Sequence, residues 1–259
     1  MGKNSAIAWT DDTFNPWWGC VRVSQGCVHC YAETFSHRLG NDIWGVDKSR
    51  KFFGDKHWNE PVKWDKEAKE SGQPRYVFCG SMCDWLEDRP DLVAPRARLI
   101  KLIEATPNLT WLLLTKRIEN AVHLVPEWLN GAPKNAWFGV TTEDQISYDK
   151  RIGILLGLRV HFDASVVWLS IEPQISEVSI DVRLDGRNVD WAIVGGESGT
   201  GCRPFNIEWA RSIKKQCDED GVAFFLKQLG GHPSKRHNMT DFPEDLQVRD
   251  YPNIVKLPK

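Results

Sequence analysis

The chain has 259 residues, 41% of them hydrophobic, and its 33 Lys and Arg against 35 Asp and Glu leave a formal net charge of −2. That length accommodates one large α/β domain or two small ones without disulfide staples, and the lack of a basic excess argues against a nonspecific nucleic-acid coat while leaving room for a local basic groove. No apolar run approaches the roughly 18 residues that would span a bilayer, Met1-Gly2-Lys3-Asn4-Ser5 lacks the apolar core of a signal peptide, and Ala6 stands where a myristoylation signal needs Ser or Thr. The expectation is a protein without membrane contact, held in a reducing cytoplasm.

The first informative segment is Asn15-Pro16-Trp17-Trp18-Gly19-Cys20, continuing through Gly26-Cys27-Val28-His29-Cys30-Tyr31-Ala32. Three thiols fall within eleven residues, on a stretch kept open by Gly19 and Gly26. This is one ligand fewer than a cubane iron–sulfur cluster requires, so one iron would stay open to a substrate or cofactor. A structural zinc is the alternative, built on Cys27 and Cys30 with Cys20, His29, His37 or a distant cysteine completing the tetrahedron. Disulfides are disfavoured because the seven cysteines are odd in number and no secretory signal precedes them. Cys79, Cys83, Cys202 and Cys217 read as isolated buried thiols.

Residues 40–73 show no clear strand period. They are expected to form an irregular insertion over the mouth of the fold. Lys48, Arg50, Lys51, Lys56, His57 and Lys63 alternate there with Trp44, Phe52, Phe53, Trp58 and Trp64; this suits either nucleotide contacts or a helical flap with a solvated charged face.

Six apolar runs then recur roughly 25 to 35 residues apart, the spacing of βα repeats around a parallel sheet. They are Tyr76–Gly80, Thr110–Leu114, Ala136–Val140, Val166–Ser170, Asp190–Val194 and Val222–Leu226, each continuous enough for a strand buried on both faces. Helices are expected over Asp91–Ala105, Ile118–Leu129 and Ile207–Asp220, the last closed by Gly221. The resulting fold class is α/β, a full or partial (β/α) TIM-like barrel forming one domain over residues 1–259. Residues 231–259 make an irregular C-terminal wrap without evident chemistry. Trp111, Trp137, Trp168 and Trp191 open apolar runs and read as structural wedges.

In such barrels reactive groups stand at the C-terminal ends of the strands. Those positions hold Ser81 and Asp84, Thr115-Lys116-Arg117, Thr141-Thr142-Glu143, Glu172-Pro173, Gly195-Gly196-Glu197-Ser198 and Lys227-Gln228. Any one of them alone would read as a helix cap or surface ion pair. Six strands ending alike point to a shared site. No glycine-rich Rossmann turn follows the first run, which removes support for ordinary methyl transfer.

The string N-P-W-W-G-C-x6-C-V-H-C-Y-A resembles the cluster loop of radical S-adenosylmethionine enzymes, in particular the branch similar to spore photoproduct lyase. That superfamily usually spaces its cysteines C-x3-C-x2-C. The longer first gap here is similar to a phage- and prophage-associated three-cysteine family. The strand signatures Val77–Asp84, Leu113–Arg117, Trp137–Thr141, Leu169–Pro173, Gly195–Gly199 and Phe225–Gln228 resemble that family in the same order, so the likeness spans about residues 9 to 251.

The resemblance implies a [4Fe-4S] cluster on Cys20, Cys27 and Cys30, reductive cleavage of S-adenosylmethionine to a 5′-deoxyadenosyl radical, an external electron donor, and a bacterial or phage-infected cytoplasm. The substrate would be a nucleotide, a nucleic-acid base or another small molecule. Ser81, Thr115, Lys116 and Thr141 become candidates for methionine carboxylate or ribose contacts. Glu172, Glu197 and Gln228 become candidates for an amine, ribose or adenine edge, with Asp84, Glu143, Ser198 and Lys227 beside them. Gly195-Gly196-Glu197 resembles the glycine-glycine-glutamate that binds the methionine amine in many radical enzymes, where it follows the second strand instead of a late one. Lys116 and Cys83 are the catalytic candidates, Cys83 as a radical relay or else as a core thiol. The competing class is a scaffold stabilised by zinc or an inert cluster, without radical chemistry.

Overall fold

The computed structural model describes residues 2–129, 131–181, 183 and 186–253. The tip of the C-terminal wrap, residues 254–259, lies outside the described residues, as does Met1. Among the described residues seven strands pair in chain order, every neighbouring pair parallel. They are β1 (Asp12–Phe14), β2 (Tyr76–Cys79), β3 (Thr110–Thr115), β4 (Ala136–Thr141), β5 (Val167–Ile171), β6 (Trp191–Gly195) and β7 (Ala223–Gln228). β1 and β7 do not pair with each other, so the sheet curls into an open half-barrel, the partial of the two TIM-like forms expected. β1 escaped the sequence reading because three residues, Asp-Thr-Phe, carry no period.

Strand alternation divides the core in two. Residues such as Val77, Leu113, Phe138, Leu169 and Val194 face outward into the layer shared with the helices. Phe78, Leu112, Trp137, Trp168, Trp191, Ile193 and Phe225 point inward, as a period of two requires. The interior is plugged by Trp9, whose ring centroid lies 4.6 Å from that of Phe78 and 5.7 Å from that of Trp168. Tyr251, from the tail, stacks on Tyr76 at 4.9 Å and packs on Trp191 at 5.1 Å, so residues from both chain termini fill the unclosed side. One inward position of β4 is Gly139. A Cβ there would stand 2.2 Å from the Trp168 ring of the adjacent strand; the missing side chain is the space the indole occupies.

The helices are α1 (Tyr31–Arg38), α2 (Asp55–Trp58), α3 (Glu60–Ser71), α4 (Val93–Ala105), α5 (Ala121–Leu124), α6 (Gln145–His161) and α7 (Ile207–Asp220). α7 has the expected bounds and ends on Gly221 in the left-handed conformation at φ 68. The helix expected over Ile118–Leu129 is instead two 3-10 turns flanking α5. Pro126 has no N–H to donate and restricts Val125, which sits at φ −132, ψ 55. α6 was not foreseen. Its glycines Gly153 and Gly157 dilute the apolar stripe, while its start is fixed by a capping box in which Asp144 accepts from the Ser147 amide at 2.8 Å.

The 40–73 segment is irregular only as far as Phe53. Beyond it α2 and α3 form an outer-layer crossover between β1 and β2. Trp58 and Trp64 are buried in the outer core, His57 stacks on Phe14 at 4.7 Å, and Arg50 is buried against Glu87 at 2.5 Å. Those side chains are thus engaged in packing. No helix among the described residues is long and apolar enough to cross a membrane.

Candidate functional site

Above the aromatic floor the inward positions turn polar. Thr141, Ser170 and Lys227 follow Gly139, Trp168 and Phe225 on the same faces of β4, β5 and β7, and with the strand-end loops they line a cavity of about 660 Å³. Volumes of this order hold cofactor-sized ligands. The cysteine loop crosses the rim, and Cys20, Cys27 and Cys30 all line the cavity.

The loop is tied down by groups from several strand ends. Asn15, buried after β1, donates to Ser81 Oγ at 2.9 Å and accepts from the Met82 amide at 2.7 Å. The Gly19 amide donates to Met82 O at 3.0 Å, and Gly19 adopts φ +111 with Ile43 O only 2.4 Å from where a Cβ would lie. Arg117, after β3, donates to Val21 O at 2.8 Å and reaches Cys20 Sγ at 3.7 Å. Glu143, after β4, accepts from the Gly26 amide at 3.2 Å, and a Cβ on Gly26 would meet that carboxylate at 2.8 Å. Arg203, paired with Glu197 at 2.7 Å, donates to Gln25 O at 3.2 Å. Tyr31 closes the loop onto α1 and donates its hydroxyl to Ser81 O at 2.9 Å.

The three cysteines are residues of intermediate exposure, and their thiols differ in surroundings. Burial pushes the Cys20 thiol up to about 12, with the neighbouring Arg117 guanidinium working against it. Cys30 is the N-cap of α1. Burial raises its thiol too, and the amides of Glu33 and Ala32 favour the thiolate without closing a capping hydrogen bond. Cys27 Sγ lies 3.6 Å from Ser24 Oγ. Among the described residues no three His, Cys, Asp or Glu side chains are grouped as a single metal ion would need.

The cavity brings together nearly all the residues singled out at the strand ends: Ser81, Cys83, Asp84, Thr115, Lys116, Thr141, Glu172, Glu197, Ser198, Lys227 and Gln228. Several are already engaged. Asp84 accepts from Thr115 Oγ1 at 2.6 Å, from the Lys116 amide at 3.0 Å and from Arg117 at 2.8 Å. Glu197 is held by Arg203. Glu143 does not line the cavity. Burial alone would raise its carboxyl, but Lys116 and Arg151, the latter at 2.8 Å, override that and bring it down to about 2, so it props the cysteine loop as a carboxylate.

Other groups lining the cavity keep a buried polar atom without a hydrogen-bond partner. Lys116 Nζ is buried without a hydrogen-bond partner, 3.6 Å from Glu143. Gln228 donates to Gly196 O at 2.7 Å but leaves its buried oxygen unpaired. Glu172 Oε1 lies 3.0 Å from Lys227 Nζ, close enough for an ion pair yet not aligned for a hydrogen bond. Buried polar atoms left in this state suit a polar ligand, since an unmade hydrogen bond is costly. Cys83 Sγ stands 3.9 Å from Asn15 Oδ1 in a small cluster with Trp17 and Leu92, and burial holds its thiol well above the ordinary value.

Arg117, Asn15, Arg151 and Arg203 carry the site's architecture without standing out in the sequence. Arg117 lies in the Thr-Lys-Arg signature, but an arginine beside a lysine gives no sign of which one turns toward sulfur. The tail also contributes: Lys235, His237, Met239 and Arg249 line the cavity, although the wrap showed no chemistry in sequence.

Fold and site together define an α/β half-barrel with a thiol-bearing loop over a polar cavity at the C-terminal rim of a parallel sheet. Residues 4–251 match the family described as "Protein of unknown function (DUF5131)", and the chain belongs to that family. No curated protein and no solved structure matches it.

Proposed function

We propose that the protein is a radical S-adenosylmethionine enzyme, in which Cys20, Cys27 and Cys30 hold a [4Fe-4S] cluster with one iron open to the cofactor. The observation that carries this reading is the convergence of all three thiols on one cavity also lined by Lys116, Glu172 and Gln228, each with a buried polar atom that makes no hydrogen bond. When bound, cluster and cofactor supply the one-electron cleavage that yields a 5′-deoxyadenosyl radical; the electron comes from an external donor.

The chain's own residues bind, orient and enclose. The Lys116 ammonium offers a buried cation for a carboxylate, and Thr141 and Ser81 add hydroxyls. Glu172 and Gln228 present acceptors for an amine, a hydroxyl or a base edge. The aromatic floor of Trp9, Phe78 and Trp168 shields the lower side of the cavity from water. Cys83, kept as a neutral thiol beside the cavity, supplies an S–H bond from which hydrogen could pass to a substrate radical. A nucleotide or nucleic-acid base suits the volume and the mixture of donors and acceptors.

Anaerobic reconstitution followed by dithionite reduction tests the reading. Four irons per chain and 5′-deoxyadenosine formed from S-adenosylmethionine are expected, together with a changed electron paramagnetic resonance spectrum on adding the cofactor. A colourless protein carrying one zinc per chain would overturn it in favour of the metal-stabilised scaffold.

A further inference from the structure

The loop sulfurs are not held alike. Cys27 faces a hydroxyl and Cys30 the first turn of α1, whereas Cys20 receives a guanidinium. Arg117 Nη1 lies 3.7 Å from Cys20 Sγ and 2.8 Å from Asp84 Oδ2, while its Nη2 donates to Val21 O at 2.8 Å. The side chain is therefore fixed at both ends of its fork, by the carbonyl next to the cysteine and by a carboxylate. Asp84 is itself immobilised by Thr115 Oγ1 and the amides of Lys116 and Leu86. Arg117 is 9% exposed, so its charge acts in a poorly screened environment. A merely structural arginine would need only Val21 O and Asp84; this one also turns an N–H toward sulfur.

We propose that Arg117 sets the reduction potential of the cluster carried by Cys20, Cys27 and Cys30, through an N–H···S hydrogen bond and a fixed positive charge beside Cys20. This rests on the radical-enzyme reading above. Reduction transfers one electron from the external donor to the cluster and adds one negative charge to it. A cation hydrogen-bonded to a ligating sulfur stabilises the reduced form more than the oxidised form and so raises the potential; hydrogen bonds to sulfur and net charge are among the levers that tune such clusters. Arg117 acts on the cluster through Cys20 and is a positioning and tuning residue, not a catalytic one.

The test is a redox titration of anaerobically reconstituted protein without S-adenosylmethionine, poised with dithionite and mediators and read by electron paramagnetic resonance. In Arg117→Met reconstituted to four irons per chain the midpoint is expected to move to a more negative potential, and Arg117→Lys, which retains the charge, is expected to fall between. Iron-replete variants with the wild-type midpoint would overturn the proposal. Should Arg117→Met fail to fold, wild-type protein labelled with ¹⁵N-arginine decides the matter: pulsed spectra of the reduced cluster are expected to show coupling to an arginine nitrogen, and its absence would equally overturn the assignment. A wild-type protein that takes up no iron would sink the radical-enzyme reading along with this one, whereas an unmoved midpoint sinks this one alone.

Discussion

The strands that form the lower interior of the half-barrel also form its upper rim, yet the two halves obey different rules. Below, inward positions are Phe78, Trp137, Trp168, Trp191 and Phe225, packed around Trp9 with almost no exposure. Further along the same faces stand Thr141, Ser170 and Lys227, bordering a cavity in which several polar atoms lack hydrogen-bond partners. The floor is complementary to itself. The rim is not, and its unsatisfied groups would be a liability unless a ligand completes them. Stability should therefore reside in the floor and chemistry in the rim.

The sharpest challenge to that division is Cys27→Ser. It is expected to abolish iron retention and 5′-deoxyadenosine formation while the melting temperature of the metal-free protein stays within about 2–4 °C, a shift worth roughly 1 kcal/mol at this size. A large loss of stability would place the loop in the core instead. Gly139→Ala attacks the floor: the added methyl meets the Trp168 ring, and urea unfolding should show a loss of about 3 kcal/mol, an overpacking cost. Adding Trp168→Phe should recover part of it, because the two sites share one volume.

Glu143 belongs to both halves, since it ties the rim to α6 through Arg151. Its carboxyl is lowered from 4.5 to about 2 in the folded protein, so its contribution is complete above the unfolded value near 4.5 and is lost as pH falls from there toward 2. A contribution on the order of 3 kcal/mol should disappear across that window, and Glu143→Gln should flatten that part of a melting-temperature profile against pH. Glu172→Gln should lower 5′-deoxyadenosine formation about tenfold, equivalent to roughly 1.4 kcal/mol, and leave urea unfolding unchanged. The smallest effect is expected from Cys83→Ala, with cofactor cleavage within about twofold of wild type and a stability loss of about 1 kcal/mol. Unchanged turnover of an identified substrate would remove its relay role.

Six of the strands and α7 were legible from the sequence because continuous apolar runs and a terminal glycine are local signals. So was the rim, since charged residues directly after apolar strands have one place to go in a parallel α/β sheet. Local signals failed where the cause lay elsewhere in the chain. β1 is a strand because β2 offers it partners, α6 is a helix despite two glycines because its apolar side packs on β4 and β5, and Ile118–Leu129 is broken because one proline outweighs an acceptable apolar pattern.

The chain order of residues thus settled the α/β barrel class, full or partial, the thiol-bearing loop and the groups at the strand ends, all of which depend on neighbours in sequence. Which of those groups keep an atom without a hydrogen bond was decided by folding. Asp84, Glu143 and Glu197 looked equivalent to Glu172, but their carboxylates accept hydrogen bonds from Arg117, Arg151 and Arg203, which approach from separate loops and helices, whereas Glu172 Oε1 has the Lys227 ammonium at 3.0 Å and no hydrogen bond. A side chain's availability depends on the partners that pack against it, and those partners are brought together from distant parts of the chain.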